Sequence, residues 1–214
     1  MSATLVTPRK KYSARSLAAG AVFCPACRKK LEDRGIQKCP ACGFAGEHTM
    51  WLFPLDPPPL ETISDHAELF SPRDLALVRK SIELLRKQFP QIHWKVVTAS
   101  LREDEDAGLF SFWLLNVSPP GGQEMPGCRA WTVLFVIFAD GQTAIVPGYS
   151  AEIWLSGHDW GRLLKGFMVV VKRKGYGIAV RNFMREAGRA LDKSWMKARR
   201  AVRKKHQRAL RPIS

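Results

Sequence analysis

Apolar side chains at Leu75, Val78, Ile82, Leu85 and Phe89 recur at steps of three and four, the period of one helical face. The stripe opens at Ser71-Pro72-Arg73-Asp74, where a capping serine, a proline suited to the first helical position and an acid three residues after the cap mark a helix start. Pro90 ends it. The short, β-branched stretch His93–Leu101 (HWKVVTASL) predicts a strand. Residues 103–116 (EDEDAGLFSFWLLN) predict a helix with an acidic beginning, matched to the helix dipole, and a heavily apolar continuation. Trp131–Phe138 (WTVLFVIF) is apolar without interruption, the pattern of a central strand buried on both faces. Asp140-Gly141 predicts a tight turn, and Thr143–Val146 predicts the returning hairpin strand. Helical patterns follow over roughly 158–171 and from about Gly177, separated by Lys174-Gly175. The second carries the stripe Val180, Met184, Ala187, Leu191, Trp195, Ala198 and Val202. Helices alternating with strands in this order predict an α/β domain with a small mixed β-sheet flanked by helices.

Upstream the pattern is different. Residues 1–22 are polar and basic without periodicity, and read as a flexible basic arm. Residues 23–46 hold two cysteine pairs. Residues 47–63 include the run PLDPPPL, which reads as a proline-rich linker because each proline fixes φ and removes a backbone donor. The α/β domain is expected over 64–195, and 196–214 form a basic tail.

The 214 residues carry a net charge of +15, unevenly distributed. Residues 1–30 contain seven basic and no acidic side chains, and residues 182–214 contain eleven basic and two acidic ones. The middle is nearly neutral. Basic ends attract polyanions such as RNA, DNA or an anionic membrane surface, although charge runs also serve as solvated faces. The longest strongly apolar run is nine residues, Trp131–Ala139, against the roughly 20 that a bilayer-spanning helix needs. No secretory h-region is seen near the start, so a cytoplasmic location is expected.

The strongest chemical signal is Cys24-Pro-Ala-Cys27, eleven residues, then Cys39-Pro-Ala-Cys42-Gly43. Each pair puts two thiolates on one knuckle, and two knuckles present four soft sulfurs to one tetrahedral ion. That is the pattern of a structural Zn2+ ribbon. Arg28, Lys29, Lys30 and Lys38 would offset the charge of a four-thiolate zinc centre. Close cysteine pairs point to metal in a reducing compartment rather than to disulfides. Cys128 stands alone in a Gly/Pro loop; neither it nor His158 has a partner identifiable from sequence.

The segments Leu75–Phe89, QIHWKVVTASL, FSFWLLN, WTVLFVIFADGQTAIVPGY, Gly148-Tyr149-Ser150-Ala151-Glu152 and Lys174-Gly175-Tyr176 together resemble the TPM domain family in element order and short motifs. The resemblance spans about residues 64–191. Family members read GYGLE where this chain reads GYSAE, and Glu152 matches the family glutamate. The resemblance implies divalent-metal binding and phosphatase activity. Asn116, Asp140, Glu152 and Asp159 are the polar residues nearest the predicted strand and helix ends. They are the candidate oxygen ligands of a second cation, Mg2+ or Ca2+. Each also has a local reading: Asp140 as a turn residue, Asp159 as a first-turn acid, Glu152 as a surface carboxylate.

The chain has no P-loop, GxSxG, HExxH or GxGxxG. The expected function is therefore a non-catalytic binding or adaptor protein, its zinc ribbon and basic tail recruiting a protein or polyanionic partner. A TPM-type phosphatase and a nucleic-acid-binding protein are the alternatives.

Overall fold

Four strands and five helices account for most of the described residues of the computed structural model, which are 23–32, 36–119, 121 and 128–209, the side chains at 128 and 204–209 excepted. The arm expected over 1–22 and the last five residues of the tail lie outside the described residues. The helices are α1 (His48–Leu52), α2 (Pro72–Gln88), α3 (Ala107–Val117), α4 (Gly157–Lys174) and α5 (Tyr176–Ala209). The strands are β1 (Ile63–Asp65), β2 (His93–Ala99), β3 (Thr132–Phe138) and β4 (Thr143–Pro147). The fold is α/β with a mixed sheet, as the alternating pattern predicts.

The sheet order is β1-β2-β3-β4. β1, β2 and β3 run parallel, with Val96 of β2 opposite both Ile63 and Phe135. Parallel neighbours require a crossover, and the chain passes through α2 between β1 and β2 and through α3 between β2 and β3. β4 is antiparallel to β3, with Leu134 opposite Val146. The turn between them closes where Gly141, at φ 89°, takes a conformation glycine adopts without a Cβ penalty. Every residue of β3 is buried, Thr132 included, so the apolar run Val133–Phe138 reports a central strand.

The chain divides into two compact units. One contains the residues up to Leu69 together with Gln91–Ala151, and so includes the cysteine region, the whole sheet, α1 and α3. The other contains Phe70–Pro90 and the residues from Glu152 onward, and so includes α2, α4 and α5.

In the sheet unit, Leu134, Val136 and Phe138 of β3 and Val97 and Ala99 of β2 share a core with Trp113, Leu114, Leu115 and Val117 of α3. Full burial of one such side chain is worth about 1.5–3 kcal/mol. The segment read as a linker is part of this core. Phe53 and Leu60 are buried in it, and Phe53 packs its ring against Phe110 and Trp113. Leu60 donates its N–H to the carbonyl of Pro119 and accepts from Gly121 N–H, which ties down the C-terminal end of the proline run. The prolines stiffen the backbone as expected, but the apolar residues between them have a surface to join. α1 and β1, both short and without clear periodicity, are additions to the predicted elements.

The acidic run 103–106 also differs from expectation. It lies outside the helix, in a turn where Glu105 accepts the Arg102 N–H and Asp106 caps α3 by accepting the Leu109 N–H at 2.7 Å. Short acidic side chains at a helix start compete for backbone N–H groups, so one becomes the cap and its neighbours stay in the turn. At the other end of α3, the Arg129 guanidinium donates to the carbonyls of Asn116 and Ser118.

In the helical unit, α2 and α4 open with matching capping boxes, Ser71 with Asp74 and Ser156 with Asp159. Gly175, at φ 78°, breaks the chain between α4 and α5. Close approaches set α5 against α2: a Cβ at Gly177 would fall 2.0 Å from Asp74 Oδ1, and one at Gly188 would fall 2.9 Å from a Leu85 methyl. Phe167 of α4 meets Phe183 of α5 edge to face. Along α5 the residues Val180, Met184, Ala187 and Leu191 are buried, and the stripe surfaces beyond them.

Candidate metal centre

The cysteine region is built from two knuckles with one backbone plan. In the first, Cys24 N–H donates to the Lys29 carbonyl at 2.9 Å and Arg28 N–H donates to the Cys24 carbonyl at 2.8 Å. In the second, Cys39 N–H donates to the Phe44 carbonyl and Gly43 N–H to the Cys39 carbonyl, at 2.8 and 2.9 Å. The residue four after the first cysteine is left-handed in both, Arg28 at φ 59° and Gly43 at φ 75°. Single antiparallel bridges, Phe23 with Lys30 and Lys38 with Ala45, close each knuckle.

This geometry turns all four sulfurs inward. Cys24 Sγ lies 3.7 Å from Cys42 Sγ, Cys27 Sγ lies 3.7 Å from Cys39 Sγ, and the four all fall within 4.8 Å of one another. A tetrahedral ion bound at about 2.3 Å to each sulfur would set the sulfurs about 3.8 Å apart. The four thiols therefore fit a metal ion, and soft thiolate donors suit zinc or iron more than the hard cations. Among the described residues this is the group of His, Cys, Asp and Glu side chains placed to share an ion.

The local electrostatics are those of thiols crowded together and partly buried. Burial pushes the Cys24 thiol up to about 12, against backbone N–H groups at Cys27 and Ala26 that favour its thiolate. Burial also opposes ionisation at Cys39, but the backbone N–H groups of Cys42 and Ala41 prevail and bring it down to about 7. At Cys42 the Phe44 N–H stabilises the anion, but burial and the thiols of Cys27 and Cys39 outweigh it and raise the group. Close sulfurs ionise one at the expense of another, and a bound cation removes that conflict.

The centre is supported from one side by α3. Cys24, Leu31, Cys39 and Phe44 form an apolar cluster joined by Ile36 and by Leu109 and Phe112 of α3, with Phe44 and Phe112 edge to face. Phe44 also contacts the His48 ring, whose Nδ1 accepts the Ala45 N–H at 3.2 Å.

The oxygen-bearing candidates fall in different units. Asn116 is on α3, where its side-chain amide donates to the Phe112 carbonyl at 2.8 Å. Asp140 sits in the hairpin turn and accepts from the backbone and the side chain of Gln142 at 2.9 and 2.7 Å. Both belong to the sheet unit. Glu152 begins a 3-10 turn, Glu152–Trp154, in the helical unit. Asp159, in the same unit, closes the α4 capping box by accepting from Ser156, and Arg162 donates to it at 3.2 Å. The Ser156 hydroxyl holds the Asp159 carboxyl below its ordinary range, with smaller help from the Ser156 N–H and from Arg162 and His158. Asp140 and Asp159 thus fill the local roles available to them as a turn residue and a first-turn acid.

Two further residues have structural roles. Asp65 accepts the Thr98 hydroxyl at the end of the β1–β2 pair and the Leu69 N–H at 3.0 Å. Gly148 of the GYSAE segment passes so close to the chain at Arg129 and Ala130 that a Cβ would fall 2.1 Å from the Arg129 carbonyl.

No protein-family model and no curated protein matches the chain. Among solved structures it is similar to the N-terminal domain of a protein from P. gingivalis, with a TM-score of 0.48 at 18% identity over 68% of this chain and 88% of that one. It is also similar to the N-terminal domain of a Corynebacterium glutamicum protein, with a TM-score of 0.45 at 13% identity over 61% and 79%. Neither likeness bears on function. Among the described residues, no helix is long and apolar enough to cross a membrane.

Proposed function

We propose that the chain is a non-catalytic binding protein whose ribbon is held by zinc and whose distal α5 recruits a polyanion. The observation that carries this reading is the exit of α5 from its core. Leu191 is 3% exposed, Trp195 is 39% exposed and Val202 is 69% exposed. Over the same stretch Lys193, Lys197, Arg199, Arg200 and Arg203 are all exposed, and no acidic residue follows Asp192. A helix this basic repels itself, and a polyanion relieves that repulsion while releasing its own counterions. Zinc at the four cysteines is supported by their tetrahedral spacing and soft donor set. Likeness to the TPM domain family supports the body as a second binding surface, whereas the phosphatase activity implied by that family rests on the resemblance alone.

Deletion of residues 199–214 tests the reading. The truncated protein should keep its melting temperature and lose most of its heparin affinity at low salt. In the full chain, affinity should fall steeply as salt rises. Heparin binding unchanged by the truncation would reassign the basic surface to another part of the chain.

A further inference from the structure

The surfaced part of α5 is more than a row of charges. Trp195 meets Trp154 of the 3-10 turn with ring centroids 4.8 Å apart and planes tilted by 39°. The two indoles, with Ala198, Arg199, Val202 and Arg203, line a groove of about 370 Å3. That volume lies toward the small end of the range that receives organic ligands, about 300–1,000 Å3. The Trp154 indole nitrogen is covered. Trp195 and Val202 remain substantially exposed where a soluble helix would ordinarily place polar side chains.

Charge selects the occupant. The groove's two ionic residues are both arginines. A segment of the chain's own basic ends is disfavoured, since residues 1–22 contain four basic and no acidic side chains. Arg199 and Arg203 are one turn apart, about 6 Å along the axis. An aromatic floor with a cationic track beside it is the arrangement that binds single strands: bases stack on the rings and phosphates follow the charges.

We propose that the Trp154–Trp195 groove is a stacking site for a base of single-stranded RNA or DNA, with Arg199 and Arg203 engaging the adjoining phosphates. The proposal rests on the polyanion reading above and adds to it a base-dependent contact. Duplexes, whose bases are already stacked, bind by charge alone and more weakly.

The test uses the full chain with a labelled 15-nucleotide oligothymidylate, read by fluorescence anisotropy. Heparin, a duplex of the same length and vesicles of phosphatidylcholine with phosphatidylserine serve as probes lacking free bases. Trp195→Ala should weaken oligonucleotide binding by about 5- to 150-fold, leaving the salt slope and the heparin affinity as they were. Trp195→Phe, which keeps a ring, should retain most of the affinity. Arg199→Gln together with Arg203→Gln should instead reduce the slope of log affinity against log salt, by about 0.7 for each phosphate no longer neutralised. Unchanged oligonucleotide affinity in Trp195→Ala, an equal loss toward heparin, or tighter binding to vesicles than to the oligonucleotide would each overturn the stacking site. If the unaltered chain fails to bind heparin as well, the polyanion reading falls with it.

Discussion

Gly43 and Arg28 occupy the same place in the two knuckles, and both have positive φ. A non-glycine residue in that region costs roughly 1–2 kcal/mol. Arg28 shows that the knuckle tolerates the cost once. A Cβ at Gly43 would meet only the Lys38 side chain, at 3.4 Å, so Gly43→Ala isolates the backbone penalty from any clash. Zinc affinity measured by competition with a chelator should fall by about 5- to 30-fold, the equivalent of that penalty, with four-sulfur coordination retained. A variant that binds zinc as tightly as the original would show that the second knuckle is not held in this conformation. At this scale the cysteines were legible because their spacing alone dictates two knuckles. Lys95 was not: it stands inside a strand pattern as an ordinary polar residue, yet it is buried and engaged. Its burial follows from the place of β2 between β1 and β3, which no local pattern encodes.

At the level of elements, the helix starts were the most readable and the short pieces the least. Ser71 and Asp74 announced α2 because a capping box is a local device with its own hydrogen bonds. α1 and β1 are not legible in the sequence because five and three residues carry too little periodicity to register. The cap of α4 permits a direct pH test. Its Asp159 carboxyl is held below the ordinary range chiefly by the Ser156 hydroxyl, so the folded state binds the proton less readily than the unfolded chain. The resulting stability is fully present above the usual Asp value of about 4 and is lost as pH falls through the depressed folded value. Ser156→Ala should cost about 1 kcal/mol at neutral pH, measured by denaturant unfolding. The difference between variant and original should shrink below about pH 4. A gap independent of pH down to strongly acid conditions would remove Asp159 from the account.

For the molecule as a whole, the sequence suggested a ribbon separated from the body by a stiff linker. On that view, stripping the metal would unfold the ribbon alone. The structure leads elsewhere, because Phe44 and the buried cysteines Cys24 and Cys39 share a cluster with Leu109 and Phe112 of α3. That helix in turn places Trp113 and Leu114 on the sheet core, where Phe53 and Leu60 from the proline-rich segment also end. Metal binding to four thiolates supplies folding free energy to a segment with little core of its own. Losing it should expose the ribbon-facing side of α3 and loosen the aromatic packing that continues inward. Protein purified under reducing conditions should carry about one zinc per chain. After chelation, amide exchange should accelerate through residues 23–46 and also along Ala107–Leu115, with the melting transition moving down. The buried stretch of α5, Val180–Leu191, makes its close approaches within the helical unit at Leu85 and Phe167, and its exchange should change least. Acceleration confined to the cysteine segment would restore the independent ribbon. Protein that contains no metal and exchanges no faster with chelator would show that the thiols alone hold the knuckles together.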